Sequence, residues 1–249
     1  MEIFVLILTG FFGGFIGSLF GLGGGIVIVP VLTLVFNMSI TEAVGTSLVS
    51  IVAVSSVAAI DFLKTGRADL NLGLALSIAA TIGALTGALI SGIINESVIF
   101  LLFSIILFIA AINMLKPARI KSPDHEIEYP HHTYLGYSFS YLGGTISGLL
   151  GVGGGIVQIP MMRLVMDVPL KIATATSSLM IAFTVVPAAS LYLLRGDVDP
   201  FRACAIIVGT YFGSKTGAAL SNKITAFGLR SLFVLILLYT AYKMFVRGF

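Results

Sequence analysis

Two glycine-rich stretches in this sequence have the composition of backbone anion-binding sites. They read SLFGLGGGIVIVP from Ser18 to Pro30 and GLLGVGGGIVQIP from Gly148 to Pro160. A helix that begins again after Gly25 or Gly155 would present free N–H groups and its positive dipole end at the break. Such a helix start can bind a small anion without any charged side chain. We therefore predict that backbone groups at the two breaks hold the substrate, namely those of Gly23, Gly24, Gly25, Gly153, Gly154 and Gly155.

Hydroxyl and amide side chains near the breaks are suited to complete such a site. Thr46 and Ser47 lie about two helical turns beyond a capping box at Ser39, which places them roughly 10 Å deep. Hydroxyl groups donate well to anion oxygens, although Ser and Thr also bond the carbonyls of their own helix. The predicted side-chain ligands are Thr46, Ser47, Thr176, Ser177 and Gln158, the last of which stands where the first stretch has Ile28.

Two ionisable residues inside apolar runs are candidates for a function, because a charge there is costly and is a functional hypothesis by default. Lys215 lies between Gly213 and Gly217, and two roles fit it: attraction of an anion, or snorkelling of the ammonium group to the nearer membrane surface. Asp61 is a candidate carrier of a coupling proton. It lies near the end of its run, so pairing with Lys64 fits it as well.

The elements that position these residues must be membrane helices. The chain has 249 residues, of which 57% are hydrophobic and only 10% charged, with a mean hydropathy of +1.08. Ordinary soluble domains carry about 25% charged residues. Apolar runs recur along the whole length, and their continuity argues for helices rather than barrel strands. We expect an all-α, multi-pass protein of the plasma membrane, in which the N-terminal run is retained because it lacks the features of a cleaved signal peptide.

The sequence also indicates a duplicated unit. A single constant offset aligns the halves without a gap, so that Thr46-Ser47 meets Thr176-Ser177 and Asp69 meets Asp199. We divide the chain into a first membrane repeat (1–115), a polar linker (116–133) and a second membrane repeat (134–249). Each repeat has a first run, a short run and three longer runs. The runs span about 3–20, 26–36, 43–63, 70–94 and 97–115, then 134–150, 156–166, 172–194, 201–221 and 228–246.

The short run leaves two architectures open. Its eleven residues rise about 16 Å as a helix, roughly half the hydrocarbon thickness. The first run and the short run therefore form either one broken helix or a hairpin whose tip is the glycine stretch. The distribution of Lys and Arg fits a parallel and an inverted second repeat equally well. We favour inversion, because two hairpins that enter from opposite faces would bring both glycine tips near the midplane.

Several other functions are excluded or disfavoured by the sequence. GLGGGI lacks the third glycine of a dinucleotide fingerprint, and no Walker A motif is present. The single cysteine, Cys204, excludes an internal disulfide and a cysteine metal cluster. All three histidines, His125, His131 and His132, fall in the polar linker at no diagnostic spacing, so we expect no metal site. The net charge of +3 is modest and does not indicate nucleic acid.

The doubled G-x-G-G-G-x-x-x-x-P element, followed by a GTS-type stretch at Gly45, resembles the TauE/SafE family of sulfite and organosulfonate permeases. The resemblance covers nearly the whole chain and implies a secondary carrier for a small anion, such as sulfite or a sulfonate. The second unit departs from the first, with TATSS from Thr174 to Ser178 where the first has VGTSL, and this adds hydroxyl groups.

The expected function is transport of a small anion by alternating access at a midplane site, without enzymatic activity. Two alternatives remain open at this point: an anion channel that uses the same pocket, and a membrane scaffold without flux. The expected partners are the anionic substrate, the lipid bilayer and a coupling ion such as a proton. The sequence carries no cofactor motif and indicates no oligomeric state.

Overall fold

A computed structural model describes residues 1–115, 133–221 and 227–248 of the chain. The linker residues 116–132, with the three histidines, lie outside the described residues. Within those ranges the fold is all-helical. The ten helices are α1 Glu2–Phe20, α2 Gly25–Leu34, α3 Ile40–Lys64, α4 Leu70–Ser91, α5 Glu96–Leu115, α6 Thr133–Leu150, α7 Gly155–Leu164, α8 Leu170–Arg195, α9 Pro200–Leu220 and α10 Phe227–Gly248.

Local sequence signals account for the helix boundaries. The capping box predicted at Ser39 is present, because the Glu42 N–H donates to the Ser39 hydroxyl at 3.2 Å and α3 begins at the next residue. Asp69 and Asp199 cap α4 and α9 in the same way, each accepting a backbone N–H from three residues ahead at 3.0 Å. All ten predicted apolar runs coincide with helices. By length and hydropathy, α1, α3, α4 and α8 qualify as membrane spans among the described residues.

The first two helices form a hairpin rather than one broken helix. A Cβ on Gly17 would lie 2.5 Å from the Gly24 nitrogen, and one on Gly13 would lie 2.9 Å from the Ile28 side chain. The chain therefore doubles back after α1, and α2 runs antiparallel beside it. Helices α6 and α7 pack in the same way, with Gly143 against the Gln158 side chain. Ten residues of α2 or α7 rise about 15 Å, so each returning arm covers half the bilayer.

Small residues bring two helix pairs into close parallel packing. Gly10 of α1 faces the backbone of Ile206 in α9, and the Ser18 and Ser214 hydroxyls lie 2.5 Å apart, so the two helices keep one register along their length. Helices α4 and α6 pack in the equivalent manner. A packing role therefore accounts for the glycines along these contacts, which include Gly10, Gly14, Gly83, Gly87, Gly144, Gly148, Gly209, Gly213 and Gly217.

Two further helix pairs run antiparallel. Gly45, near the start of α3, packs against the residues that follow the end of α8, and α3 and α8 remain in contact along their length. In α5, Ser104 donates to the Ala241 carbonyl of α10 at 3.0 Å, while Phe100 lies against Gly248. In sequence order α8 has the same place in the second half as α3 has in the first, and α10 corresponds to α5 in the same way. Helices at equivalent sequence positions therefore point in opposite directions.

These contacts define two ends of the bundle. Face A carries the start of α1 and α9, where Glu2 pairs with Arg202 at 3.1 Å, and the start of α3 near Asp197. Face B carries the turn between α3 and α4, where Arg67 bonds Ser221 at the end of α9. Both hairpins end between the two faces, α1–α2 entering from face A and α6–α7 from face B.

Candidate functional site

The two glycine tips meet backbone to backbone at the centre of the bundle. A Cβ on Gly23 would lie 3.1 Å from the Gly153 Cα, and a Cβ on Gly153 would lie 3.1 Å from the Gly23 Cα. Ile51, near the middle of α3, packs against the first tip, and Ile181, near the middle of α8, packs against the second. We name Gly21–Gly25 the first tip and Gly151–Gly155 the second tip.

The glycine pattern of each tip follows from its backbone. Gly25 and Gly155 have no positive φ, but a Cβ on either would overlap a carbonyl oxygen of the opposite tip, that of Gly151 or Gly21. The remaining glycines hold left-handed conformations, which cost other residues about 1–2 kcal/mol each. Their φ angles are 69° for Gly21, 85° for Gly23, 89° for Gly24, 67° for Gly151, 97° for Gly153 and 76° for Gly154. Gly23, Gly25, Gly153 and Gly155 permit close approach to the opposite tip, whereas Gly24 and Gly154 lie against the first helix of their own hairpin.

Both tips present buried N–H groups at a helix start. Gly24 and Gly154 are the N-caps of α2 and α7. The first N–H group of α2 that has a backbone acceptor is that of Val27, which donates to the Gly24 carbonyl, and in α7 it is that of Val157, which donates to the Gly154 carbonyl. The N–H groups just before these have no acceptor among the described residues, and all lie in buried backbone: Gly25, Ile26, Gly155 and Ile156. The positive ends of both helix dipoles therefore lie together near the centre of the bundle.

The predicted serines cross between the halves. Ser47 donates to the Gly151 carbonyl at 3.1 Å, and Ser177 donates to the Gly21 carbonyl at 3.0 Å. Each serine is fully buried and lies against the tip of the other half. The structure thus brings both serines to the tips, where their hydrogens are engaged by carbonyl oxygens.

The predicted threonines bind loops rather than tips. The Asp199 N–H donates to Thr46 Oγ1 at 3.0 Å, and the Asp69 N–H donates to Thr176 Oγ1 at 2.9 Å. Each bond fixes the start of a helix in one half to a core helix of the other. These hydroxyls hold the helix starts near the two faces, although each threonine directly precedes a tip-binding serine in the sequence.

Gln158 lies at the second tip. Its side chain is fully buried, and Oε1 lies 3.3 Å from Ser177 Oγ as a second acceptor for that hydroxyl. Its Nε2 has no partner among the described residues and lies 3.2 Å from where a Cβ of Gly154 would stand. Ser147 lies beside the same glycine, and its buried Oγ also has no partner in the described part of the chain. Ser147 was not predicted from the sequence, although it stands where the first half has Gly17.

The two ionisable candidates do not reach the tips. Lys215 is exposed on the outer surface of α9, whereas the neighbouring Ser214 faces inward and bonds the Val54 carbonyl at 2.7 Å. Asp61 lies near the face B end of α3 and is partly exposed. The glycine tips and the polar side chains beside them contain no charged residue.

An arginine and a tyrosine close the bundle at face A. The fully buried Tyr192 hydroxyl lies within donating distance of two acceptors, Ser91 Oγ at 2.7 Å and the Gly148 carbonyl at 3.0 Å. The Arg195 guanidinium lies 5.7 Å from the Tyr192 ring centre and donates to Ser91 at 3.4 Å. We call Tyr192, Arg195 and Ser91 the face A latch. Beside it opens a polar cavity of about 660 Å³, which Glu42 also lines.

A similar group closes face B. The Arg67 guanidinium lies 4.8 Å from the Phe62 ring centre, within cation–π range, and donates to Ser221 Oγ at 2.8 Å. We call Phe62, Arg67 and Ser221 the face B latch. The offset that aligns the two halves matches Phe62 with Tyr192 and Ser91 with Ser221, whereas the arginines do not correspond, since Arg67 matches Asp197 and Arg195 matches Thr65. The tips therefore lie between these two groups of side chains.

Comparison with known proteins places the chain in a family. The sequence model of the family described as sulfite exporter TauE/SafE matches residues 6–244. The probable membrane transporter protein YunE of Bacillus subtilis is 27% identical over 90% of each chain. A probable membrane transporter protein of Methanocaldococcus jannaschii is 30% identical over 91% of this chain and 89% of its own.

More distant matches agree with this assignment. The sulfite exporter TauE/SafE family protein 6 of Arabidopsis thaliana is 29% identical over 41% of this chain and 23% of its own. No solved structure matches the chain significantly. Because the family match spans almost the whole sequence, the chain belongs to the sulfite exporter TauE/SafE family of multi-pass membrane transporters, and it is not an enzyme.

Proposed function

We propose that this chain is a secondary transporter that moves a small anion, sulfite or an organosulfonate, by alternating access at the paired glycine tips. The observation that carries the proposal is the pair of helix N-termini, buried at the centre, whose first N–H groups have no acceptor among the described residues. Such groups are anion ligands, and leaving them unpaired at membrane depth is costly. The sulfur-containing substrate class comes from the family description.

The two halves act as inverted repeats in this proposal. The antiparallel pairing of α3 with α8, and of α5 with α10, supports a pseudo-twofold axis in the membrane plane. A parallel duplication would instead make equivalent helices point the same way. Transporters with inverted repeats keep their sites near the midplane and rock one repeat against the other.

Access to the site requires the tips to part, because their backbones are in contact at Gly23 and Gly153. Parting would release Ser47 and Ser177 from the opposing carbonyls and turn their hydroxyls towards the anion, together with Gln158. The threonines Thr46 and Thr176 would keep the helix starts attached meanwhile. The face A and face B latches would open in turn, so that one end stays closed while the other is open.

The orientation that fits this arrangement has face B towards the cytoplasm of a plasma-membrane protein. Lys and Arg at the helix ends of the described ranges are nearly balanced between the faces: Lys64, Arg67, Arg163, Lys171 and Arg230 at face B, and Arg195, Arg202, Lys243 and Arg247 at face A. The sequence that joins α5 to α6 adds Lys116, Arg119 and Lys121, and the described ends of both helices, Leu115 and Thr133, lie at face B. An excess of positive charge marks the cytoplasmic side.

Asp61 is the proposed coupling residue because it is the carboxylate set inside an apolar run on the face B side. Asp61→Asn should abolish stimulation of uptake by a pH gradient and leave exchange without a gradient unchanged. Lys215 is proposed only as an outer attractor of anions, and Lys215→Gln should then lower uptake at low ionic strength alone.

Flux into proteoliposomes tests the function. Labelled sulfite, thiosulfate, sulfoacetate, taurine, sulfate and acetate would each be measured with and without the same anion on the trans side. Saturable movement accelerated by trans substrate is expected. Flux without counterflow would favour the channel, and a folded protein that moves none of them would favour the scaffold. The double variant Gly24→Val with Gly154→Val should reach the membrane and transport nothing, and undiminished transport would contradict a site at the tips.

A further inference from the structure

The two tips differ in the polar side chains that surround them. At the second tip, Gln158 Nε2 and Ser147 Oγ are buried and have no partner in the described ranges. At the first tip the equivalent positions hold Ile28 and Gly17, which have no polar side-chain atoms. The backbone turn is nevertheless the same at both tips, since Gly21, Gly23 and Gly24 hold left-handed φ angles and so do their equivalents Gly151, Gly153 and Gly154. The fold of a tip therefore does not require a glutamine.

The buried Gln158 amide nitrogen, which has no hydrogen-bond partner among the described residues, is energetically costly to the fold. Leaving a buried donor unsatisfied costs about 1–3 kcal/mol, and an isoleucine at the same place in the first half avoids that cost. Gln158 Nε2 lies beside Gly154, the N-cap of α7, so it stands next to the free N–H groups of the second tip. Two unpartnered side-chain donors, Gln158 Nε2 and Ser147 Oγ, thus belong to residues that lie beside Gly154, at the start of α7.

The charge near the tips limits what this anion can be. The tips and the polar side chains beside them include no Lys, Arg or His, so the helix dipoles are the positive charge available. Each helix N-terminus is equivalent to roughly +0.5 of an elementary charge, and the two together to about one. A singly charged anion would be balanced, whereas a doubly charged one would leave an uncompensated charge in a low-dielectric site.

We propose that the second tip binds a singly charged tetrahedral oxyanion, with Gln158 and Ser147 as its side-chain donors, and discriminates against the doubly charged anion of the same shape. The inference rests on the proposed transport function and adds the charge state and the donors to it. The first half then contributes its helix dipole and Ser47, but no unpartnered side-chain donor among its described residues at the tip.

Two isosteric ligands test the charge. Methanesulfonate carries one charge at every pH used, while methylphosphonate has the same shape and gains a second charge as the pH rises through neutrality. Binding of each to the purified full-length protein would be measured by calorimetry from mildly acidic to mildly alkaline pH. Methanesulfonate affinity should stay constant, and methylphosphonate affinity should fall about tenfold per pH unit once the second proton is lost. Equal affinity of the doubly charged form would overturn the proposal.

Substitutions test the donors. Gln158→Ile copies the first half and should weaken methanesulfonate binding about tenfold or more, the loss of one hydrogen bond to a charged group. Because it removes an unpartnered amide, it should not lower the melting temperature of the ligand-free protein, as loss of a structural residue would. Gln158→Glu should abolish binding by repulsion, and retention of binding by that variant would overturn the assignment of the amide nitrogen as a donor.

Ser147→Ala gives a second measurement that does not depend on Gln158. It should weaken methanesulfonate binding severalfold, whereas Ser138→Ala, on the same helix but exposed and bonded to the Tyr134 carbonyl, should not. Unchanged affinity in both Gln158→Ile and Ser147→Ala, with transport still lost in Gly24→Ala, would overturn this inference and leave the transport function standing. Absence of any anion binding or flux in the wild type would overturn both.

Discussion

Gly23 of one hairpin packs directly against Gly153 of the other, with no side chain between the two backbones. The interface at the centre of the bundle is therefore built from main-chain atoms. A single added methyl group at either tip would overlap backbone, which cannot rotate away as a side chain can. The tips are therefore sensitive to added side chains and are the first place to test.

Gly24→Ala should stop transport. The variant places a Cβ 2.6 Å from the Gly13 carbonyl oxygen and holds alanine at φ 89°, so the hairpin must shift. Gly196→Ala is the matched control, because Gly196 has φ 81° but open space around it. Both should lose about 1–2 kcal/mol from backbone strain. Flux assays with melting curves would check this, and equal loss of flux in both would mean that strain, not the tip, is responsible.

Thr46→Val and Thr176→Val should each destabilise the protein by about 1–3 kcal/mol, because each leaves a backbone N–H of a helix start without its acceptor. Thr216→Val is the control, since Thr216 is exposed and bonds only carbonyls of its own helix. Thermal unfolding in detergent measures the difference. If Thr46→Val and Thr176→Val have the same melting temperature as Thr216→Val, the two hydrogen bonds between the halves contribute little to stability.

Tyr192→Phe should weaken the closure of face A. The variant copies Phe62 of the face B latch and removes the hydroxyl that bonds Ser91 and Gly148, for a loss of about 1–2 kcal/mol. Tyr211→Phe, on the exposed surface of α9, should change nothing. Unfolding curves measure the stability of the two variants. A Tyr192→Phe protein as stable as the wild type would argue against the face A latch.

Cysteine labelling should reveal opposite sidedness of the two halves. In a Cys204→Ser background, Lys64→Cys and Leu194→Cys place one thiol each at equivalent, exposed ends of α3 and α8. A membrane-impermeant maleimide added to intact cells should label Leu194→Cys at face A and leave Lys64→Cys unlabelled until the membrane is broken. Labelling of both from one side would contradict the inverted arrangement.

The helices were predictable because their signals are local. Apolar continuity, the capping box at Ser39 and the capping aspartates Asp69 and Asp199 act within a few residues, so each of the ten runs became a helix near its expected bounds. The positive φ at Gly21, Gly23, Gly24 and their equivalents belongs to the local turn, whereas Gly25 and Gly155 have to be glycine because of the opposite tip.

The relative direction of the two halves and the hydrogen-bond partners of the hydroxyl side chains were decided by the tertiary structure. Counts of Lys and Arg fit parallel and inverted repeats alike, whereas the antiparallel contact of α3 with α8 is a relation between distant segments that no local pattern encodes. The same holds for the hydroxyls. The sequence grouped Thr46, Ser47, Thr176 and Ser177 as one set of candidate ligands, but only the packed bundle put the serines on the opposite tips and the threonines on loops.

Ser147 is a residue whose place at the second tip could be found only from the tertiary structure. Its position in the sequence marks only a helix residue where the other half has glycine, because a side chain's neighbours across a hairpin depend on how two helices pack. By itself the sequence determined a helical membrane protein with two glycine breaks, since hydrophobicity and backbone freedom are properties of residue types. Which donors are left unpartnered at those breaks was decided by tertiary packing, because hydrogen-bond satisfaction is a property of neighbours in space.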